Sequence, residues 1–279
     1  MTVCVAAVGR EASPKILPGG GFVGMVTQQA TATVDAVESG LQDNTAWESA
    51  SAHVVMPEPG TKEFEQLCKS LDNRGLGYRF VKRAFDIVFS GAVCVVLLIP
   101  CALLSIAIVI DTKGSPIYSQ VRVGRWGKPF RIYKFRSMVA DSDNVKKYFT
   151  PEQLAVWKRE RKVDNDPRIT KLGRAIRSCS IDELPQFVNV LLGQISVIGP
   201  RPISYDELEH FGSDAAFLCS VPGGITGLWQ ASKRNDATFE SGERQKIELD
   251  YVRNAGLPMD ARCFFGTFGA MFGKNRSGK

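Results

Sequence analysis

Asp182 and Glu183 stand side by side in Ser180-Ile181-Asp182-Glu183-Leu184-Pro185-Gln186, and cations crowd the sequence around them. Arg168, Arg174 and Arg177 lie just upstream, Lys134 and Arg136 earlier, and Arg201 downstream. A carboxylate at the start of a helix can attack phosphorus as a nucleophile. Arginine forks match phosphate oxygens two at a time, so these guanidinium groups suit a pyrophosphate. Gly199-Pro200-Arg201-Pro202 adds a rigid mount, because its prolines fix the backbone on both sides of Arg201. A plainer reading stands beside this one. Ser180 to Glu183 has the S-x-x-E form of a capping box, in which Glu183 caps a helix and Asp182 complements its dipole; Arg201 then belongs to an exposed turn. The chemical reading needs cations for a pyrophosphate, an acid able to act as nucleophile, and a reason for the site to lie at a membrane.

The run Ile87 to Ile110 speaks to the last need. It carries no charge, has only Ser90 and Ser105 as hydroxyl residues, and exceeds the roughly 20 apolar residues that cross about 30 Å of hydrocarbon. A soluble helix keeps a polar face, so the pattern predicts a membrane element in place of a core helix. Pro100 removes one backbone donor near the middle and predicts a kink. Arg74, Arg79, Lys82 and Arg83 precede the run; Lys113, Arg122, Arg125, Lys128, Arg131, Lys134 and Arg136 follow it. Lys and Arg concentrate on cytoplasmic flanks. Two basic flanks therefore predict a re-entrant hairpin that breaks at Pro100 and returns to the cytoplasmic face, with a single span and a tolerated proline as the alternative.

Other elements must position the charged groups. Pro116 to Val123 and Pro129 to Arg136 read as strands around Gly124-Arg125-Trp126-Gly127, a hairpin. Period-2 geometry puts Phe130, Ile132, Lys134 and Arg136 on one face, directed to a site or, as a solvated basic surface, to anionic lipid. Thr150-Pro151-Glu152-Gln153 combines a cap, a first-turn proline and a capping-box Gln, predicting a helix to about Lys162. A helix over Leu184 to Leu192 and a strand over Ile195 to Ile198 lead to Arg201. Pro222 to Gln230 is a glycine-rich turn able to approach a ligand or simply to reverse the chain. Residues 1 to about 70, rich in Gly, Ala, Ser, Thr and Val, read as a mobile arm, with a weak helical stretch from Thr61 to Leu71.

Composition narrows the classes. The chain of 279 residues has room for a membrane element, one catalytic-sized domain and a tail. A formal charge of +6 is compatible with anionic lipid, phosphorylated substrates or nucleic acid. Seven cysteines, without a CxxC pair, read as reduced residues of a cytoplasmic protein, not a disulfide framework or zinc site. Val3 to Val8 is too short and lacks the basic flank of a signal peptide, so the membrane run is expected to be retained. With His53 and His210 as the only histidines, histidine phosphatase and Ser-His-Asp chemistry are poorly supported, and no G-x-x-x-x-G-K-[ST] loop is present.

Taken in order, Lys82-Arg83-Ala84-Phe85-Asp86, Tyr133-Lys134-Phe135-Arg136-Ser137-Met138, Asp166-Pro167-Arg168-Ile169-Thr170, Asp182-Glu183-Leu184-Pro185-Gln186, Asn189-Val190-Leu191, Gly199-Pro200-Arg201-Pro202 and Gly227-Leu228-Trp229-Gln230 resemble the bacterial sugar transferases, the monotopic polyprenyl-phosphate phosphoglycosyl transferases. The similarity covers about Val81 to Arg253 and is strongest to exopolysaccharide-initiating members that load galactose-1-phosphate or glucose-1-phosphate onto undecaprenyl phosphate. It implies an α+β monotopic membrane protein with one re-entrant membrane helix and a mostly helical cytoplasmic catalytic domain with a small β-hairpin. The corresponding division is an arm over 1–72, the membrane element and flanks over 73–113, a catalytic domain over 114–255 and a membrane-proximal tail over 256–279.

The same resemblance implies residue roles. Asp182 attacks the sugar-linked phosphorus of a UDP-sugar and UMP leaves; Glu183 helps hold Mg²⁺; and Lys134, Arg136, Arg168, Arg174, Arg177 and Arg201 cradle phosphates or nucleotide. Implied partners are a UDP-sugar, undecaprenyl phosphate and membrane lipid, without nucleic acid and with room for a homodimer, at the cytoplasmic face of the bacterial inner membrane. The chain departs from the family at Ile99-Pro100, where Ser-Pro is common, and at Pro222-Gly223-Gly224-Ile225-Thr226-Gly227, one residue longer than usual. A competing class is a membrane-anchored, non-catalytic protein binding anionic lipid or nucleic acid, which leaves the acidic pair beside Arg201 unexplained; its basic segments lack interleaved aromatics beyond Tyr133 and Phe135.

Overall fold

The computed structural model describes residues 56–160, 163–232, 239 and 241–272. Most of the expected arm, residues 1–55, lies outside the described residues, as do residues 161–162 at the end expected for the Thr150 helix. Helix α1 (Lys62–Leu71) starts where Thr61 accepts a hydrogen bond from the Phe64 amide at 3.2 Å, satisfying an otherwise orphaned donor. Phe64 and Cys68, one turn apart, are buried in the main core beside Trp126. Residues 62–71 therefore pack as core, although they fall inside the stretch read as a mobile arm.

Helices α2 (Leu76–Val96) and α3 (Leu98–Thr112) bend by 61° at Leu97. Pro100 sits in the first turn of α3, where its missing N–H breaks no helical bond; in one continuous helix its ring would clash with the Val96 carbonyl. The break therefore precedes the proline. Among the described residues no single helix is long and apolar enough to cross a membrane, but this bent pair together satisfies length and composition for a broken span or re-entrant loop.

The polarity of α2 is inside out. Lys82, Asp86 and Ser90, spaced four apart on one face, are buried, whereas Leu76, Phe80, Val88 and Val95 are each more than 70% exposed. Water would favour the reverse. Two of these buried polar groups are partnered, while the Ser90 hydroxyl has no hydrogen-bond partner among the described residues: Lys82 pairs with Asp260 at 2.8 Å, and Asp260 also accepts from the Tyr78 and Tyr251 hydroxyls at 2.8 and 2.6 Å. Asp86 accepts from the Ser196 hydroxyl and the Val197 amide, both at 2.9 Å.

Strands β1 (Ile117–Val123) and β2 (Pro129–Phe135) form the expected antiparallel hairpin, with Gln120 opposite Ile132. Its turn needs left-handed backbone at Trp126 and Gly127. Next come α4 (Val145–Tyr148) and α5 (Pro151–Glu160), the latter opened by a reciprocal Thr150–Gln153 capping box at 3.1 and 3.2 Å. They are followed by α6 (Lys171–Ser178), α7 (Gln186–Leu191), β3 (Ser196–Ile198), α8 (Tyr205–Leu208), α9 (Ala215–Leu218), β4 (Gly224–Thr226), α10 (Leu228–Ser232), α11 (Glu243–Arg253) and α12 (Leu257–Phe272). The result is mixed and mostly helical. Strands β3 and β4 pair in parallel, a second sheet that the sequence patterns do not announce. Helix α12 seats Asp260 and Cys263 in the interior and sets Phe264 edge-on to Phe85 and Phe89 of α2.

Truncating Asp86 tests this docking. Asp86→Ala strands a buried amide and a buried hydroxyl, so unfolding stability should fall by about 2–4 kcal/mol. Asp111→Ala, at an exposed position, should leave the thermal midpoint nearly unchanged; equal midpoints for both variants would show that Asp86 carries no docking energy.

Candidate active site

The acidic pair occupies a single 3₁₀ turn, Ile181–Glu183, entered through Ser180 in left-handed backbone with φ 55°. The capping-box expectation is corrected here. The Ser180 side chain makes no cap, and the turn closes through its backbone, with the Glu183 amide donating to the Ser180 carbonyl at 3.2 Å. Glu183 instead sends its carboxylate to the Lys134 ammonium at 2.8 Å, with Arg201 Nη1 at 3.7 Å from the same oxygen. Ile181 and Leu184, which bracket the pair, pack with Ile108 of α3, Phe135 of β2 and Ile176 of α6. Two apolar side chains thus moor the carboxylates in a small apolar cluster that β2, α6 and, through Ile108, the second arm of the bent apolar pair share.

Lys134 reaches Glu183 because Asn189 fixes the strand beneath it. The Asn189 side chain accepts from the Tyr133 amide at 3.0 Å and donates to the Arg131 carbonyl at 2.7 Å, clamping β2 to α7. From the other end, Arg83 of α2 donates to the Val190 and Leu191 carbonyls at 2.6 and 2.9 Å, closing the C-terminus of α7. Desolvation lowers the Lys134 pKa from its ordinary value; Arg201 adds to that shift, while Glu183 and Asp182 oppose it. The negative charge of Asp182 acts likewise on Arg177, whose pKa is lowered chiefly by desolvation.

Arg201 is mounted on two glycine-rich turns. The Gly199 amide donates to the Thr226 carbonyl and the Gly224 amide to the Pro200 carbonyl, each at 2.8 Å. A Cβ on Gly199 or Gly224 would strike the opposing backbone, which is why both positions lack one. Beneath the mount, the Arg201 amide faces both oxygens of Glu248 at 3.3 Å. Glu248 is fully buried; desolvation pushes its pKa up to about 7, against the pull of Arg244. Lys134, Glu183, Gln186, Arg201 and Ile225 line a shared cleft.

The structure thus brings Asp182, Glu183, Lys134, Arg177 and Arg201 into one electrostatic group, leaves Arg168 at its edge, where its charge acts on Arg177, and turns Arg174 and Arg136 elsewhere. Arg168 is buried in a fork with Asp166, at 2.9 and 2.6 Å, and lies over the Phe149 ring. Arg174 donates to the Ile169 carbonyl on the surface, and Arg136 to the Ser115 carbonyl beyond the end of β2. Arg177 donates its Nε–H to Ser137. Conversely, Asn189 and Glu248 are positioning groups that no charge pattern singles out. Among the described residues, no three His, Cys, Asp or Glu side chains gather as a metal cage.

Paired carboxylates held among cations, on the edge of an inside-out helix pair, are the arrangement of a site for phosphorylated substrates. Residues 77–274 match the bacterial sugar transferase family. The chain belongs to that family. It is 42% identical over 197 residues, 69% of this chain, to a UDP-galactose-lipid carrier transferase of Erwinia amylovora, covering 40% of that protein. It is 43% identical over 193 residues, 68% of this chain, to the undecaprenyl-phosphate galactose phosphotransferase of Salmonella typhimurium, again covering 40%. Against the exopolysaccharide production protein ExoY of Rhizobium meliloti, identity is 40% over 194 residues, 68% of this chain and 84% of the relative. The chain thus spans well under half the length of the first two.

Glu248 makes stability pH-dependent in a defined direction. Its folded pKa of about 7 exceeds the unfolded value of 4.5, so the folded state holds the extra proton between these values and stability declines as pH rises through that window. The effect is on the order of 3 kcal/mol at most. Glu248→Gln should flatten the decline in thermal midpoint between pH 5 and 8; parallel profiles for variant and parent would contradict the assignment.

Proposed function

We propose that the protein transfers a hexose-1-phosphate, galactose or glucose, from a UDP-sugar to undecaprenyl phosphate at the cytoplasmic face of the membrane, initiating an exopolysaccharide repeat unit. The observation that carries this reading is the setting of Asp182 and Glu183: Ile181 and Leu184 join an apolar cluster that includes Ile108 of α3, while Lys134 and Arg201 face Glu183. A soluble nucleotide sugar and a lipid-borne phosphate must meet at such a boundary. Family membership and the names of the relatives point the same way.

In this reading a carboxylate oxygen of Asp182 attacks the phosphorus that bears the sugar, the bond to the bridging oxygen breaks, and UMP departs. An acyl phosphate joins Asp182 to the sugar phosphate. A phosphate oxygen of the lipid then attacks the same phosphorus, the acyl-phosphate bond breaks, and the Asp182 carboxylate is restored. Phosphoryl transfer asks mainly for positioning and charge stabilisation. Lys134 and Arg201 supply fixed positive charge at the cleft, and Arg177 balances Asp182 from the other side. Lys134 also tethers Glu183, keeping the second carboxylate beside the nucleophile and out of its place.

The donor set also suits Mg²⁺, which takes one or two carboxylates together with substrate phosphates and seldom a full protein cage. Glu183 would hold the ion, which when bound neutralises charge on the diphosphate. The bend between α2 and α3, the exposed apolar surface of both helices, and basic residues on both flanks support a re-entrant element with both ends on one side.

UMP release from a panel of UDP-sugars, with and without undecaprenyl phosphate, tests the reaction. Asp182→Asn should lower lipid-dependent turnover by at least about 1,000-fold with membrane association and thermal midpoint retained. Near-parental turnover by that variant would remove Asp182 as the nucleophile, and release of free sugar phosphate to water would indicate a hydrolase.

A further inference from the structure

Arg244, on α11, is a buried cation with an unused edge. Only 8% of the residue is exposed. Its guanidinium carbon lies 4.4 Å from the centroid of the Trp229 ring and 3.9 Å from that of Phe239. Nη1 stands 3.6 Å from Glu207. Nε and Nη2 have no hydrogen-bond partner among the described residues. These two nitrogens form the side-on edge of the guanidinium, where parallel N–H bonds fit two oxygens of one oxyanion. A buried donor pair without partners is costly and calls for an acceptor.

The charge around it favours an anion. Glu207 is shared with Arg122 at 2.6 Å and accepts from the Ser204 amide at 2.8 Å. Glu248 stays largely protonated below neutral pH, given its pKa of about 7. Arg201 lies over the same Trp229 ring, 5.7 Å from its centroid, and its charge acts on Arg244. Three guanidinium groups thus meet Glu207, Glu248, which is half neutral near pH 7, and, at Arg201, Glu183.

We propose that the Nε–Nη2 edge of Arg244 is an oxyanion subsite that takes a phosphate group, adjoining Arg201 across Trp229. The subsite rests on the transferase reading only for which phosphate it holds. The fork grips two phosphate oxygens, the rings of Trp229 and Phe239 keep its plane fixed, and Glu207 orients it through Nη1. A purely structural arginine needs none of this selectivity.

Equilibrium binding to the full chain in lipid nanodiscs tests it, with UMP, uridine, inorganic phosphate and a short polyprenyl phosphate as probes. Arg244→Lys keeps the charge and loses the fork. Arg244→Met keeps an apolar stem between the rings and serves if the lysine variant fails to fold. UMP and inorganic phosphate should bind at least about ten-fold more weakly to either variant, with uridine binding unchanged. That pattern assigns a nucleotide phosphate; loss confined to the polyprenyl phosphate assigns the lipid phosphate. Equal weakening of uridine and UMP, or unchanged binding of all four probes, overturns the subsite. None of these measurements needs turnover, so absence of UMP release by the parent protein would count against the transferase reading alone.

Discussion

The placement of the candidate site rests on the buried polar stripe of α2, a helix whose outward face is largely apolar. Lys82, Asp86 and Ser90 turn inward from α2, and Arg83 beside them closes the C-terminus of α7. The apolar face that points outward contributes nothing to docking within the fold, so hydrogen bonds and ion pairs dock α2 together with the packing of Phe85 and Phe89 on Phe264. Breaking one side of such a buried pair is costly, even where the pair itself adds little net stability. The stripe therefore fixes the apolar element against α12 and β3, and Arg83 fixes it against α7. Because α7 begins just after the acidic pair and Asn189 of the same helix grips β2, that one attachment also sets the distance between Glu183 and Lys134.

A second constraint is electrostatic. Asp182 and Glu183 repel one another, and Lys134, Arg177 and Arg201 offset that repulsion before any substrate arrives. The cations are held by backbone clamps more than by each other: Asn189 under Lys134, the paired glycine turns and Glu248 under Arg201, Ser137 against Arg177. Such a pre-organised group loses little reorganisation energy when a highly charged diphosphate enters. The like charges that crowd Lys134 are then partners for the ligand.

What could be read from the sequence followed from strong local signals. The Gly124 to Gly127 turn between alternating strands specifies the hairpin, Thr150-Pro151 specifies a helix start, and the uncharged run with Pro100 specifies a broken apolar helix. Signals that depend on distant partners stayed hidden. The strand over Ile195 to Ile198 was legible, but not its parallel pairing with β4, whose three residues are too few for any period. Glu248 and Arg244 sit in a helix whose charged sequence gives no sign of burial, and only the tertiary fold buries them. Arg168 misleads for the opposite reason: in Asp166-Pro167-Arg168 its partner is two residues away, so a cation that looks available for phosphate is spent locally. The capping-box form of Ser180 to Glu183 failed because Ser180 takes the left-handed conformation, not the extended one that an N-cap side chain needs to reach the first-turn amides.

The central claim, a phosphosugar carried on Asp182, is tested most directly by mass spectrometry of the parent protein incubated with a UDP-sugar in the absence of lipid acceptor. The account predicts a hexose-phosphate increment on the peptide containing Asp182, discharged when undecaprenyl phosphate is added. An unmodified peptide, together with UMP formation that proceeds only when both substrates are present, would contradict it and indicate direct transfer between them.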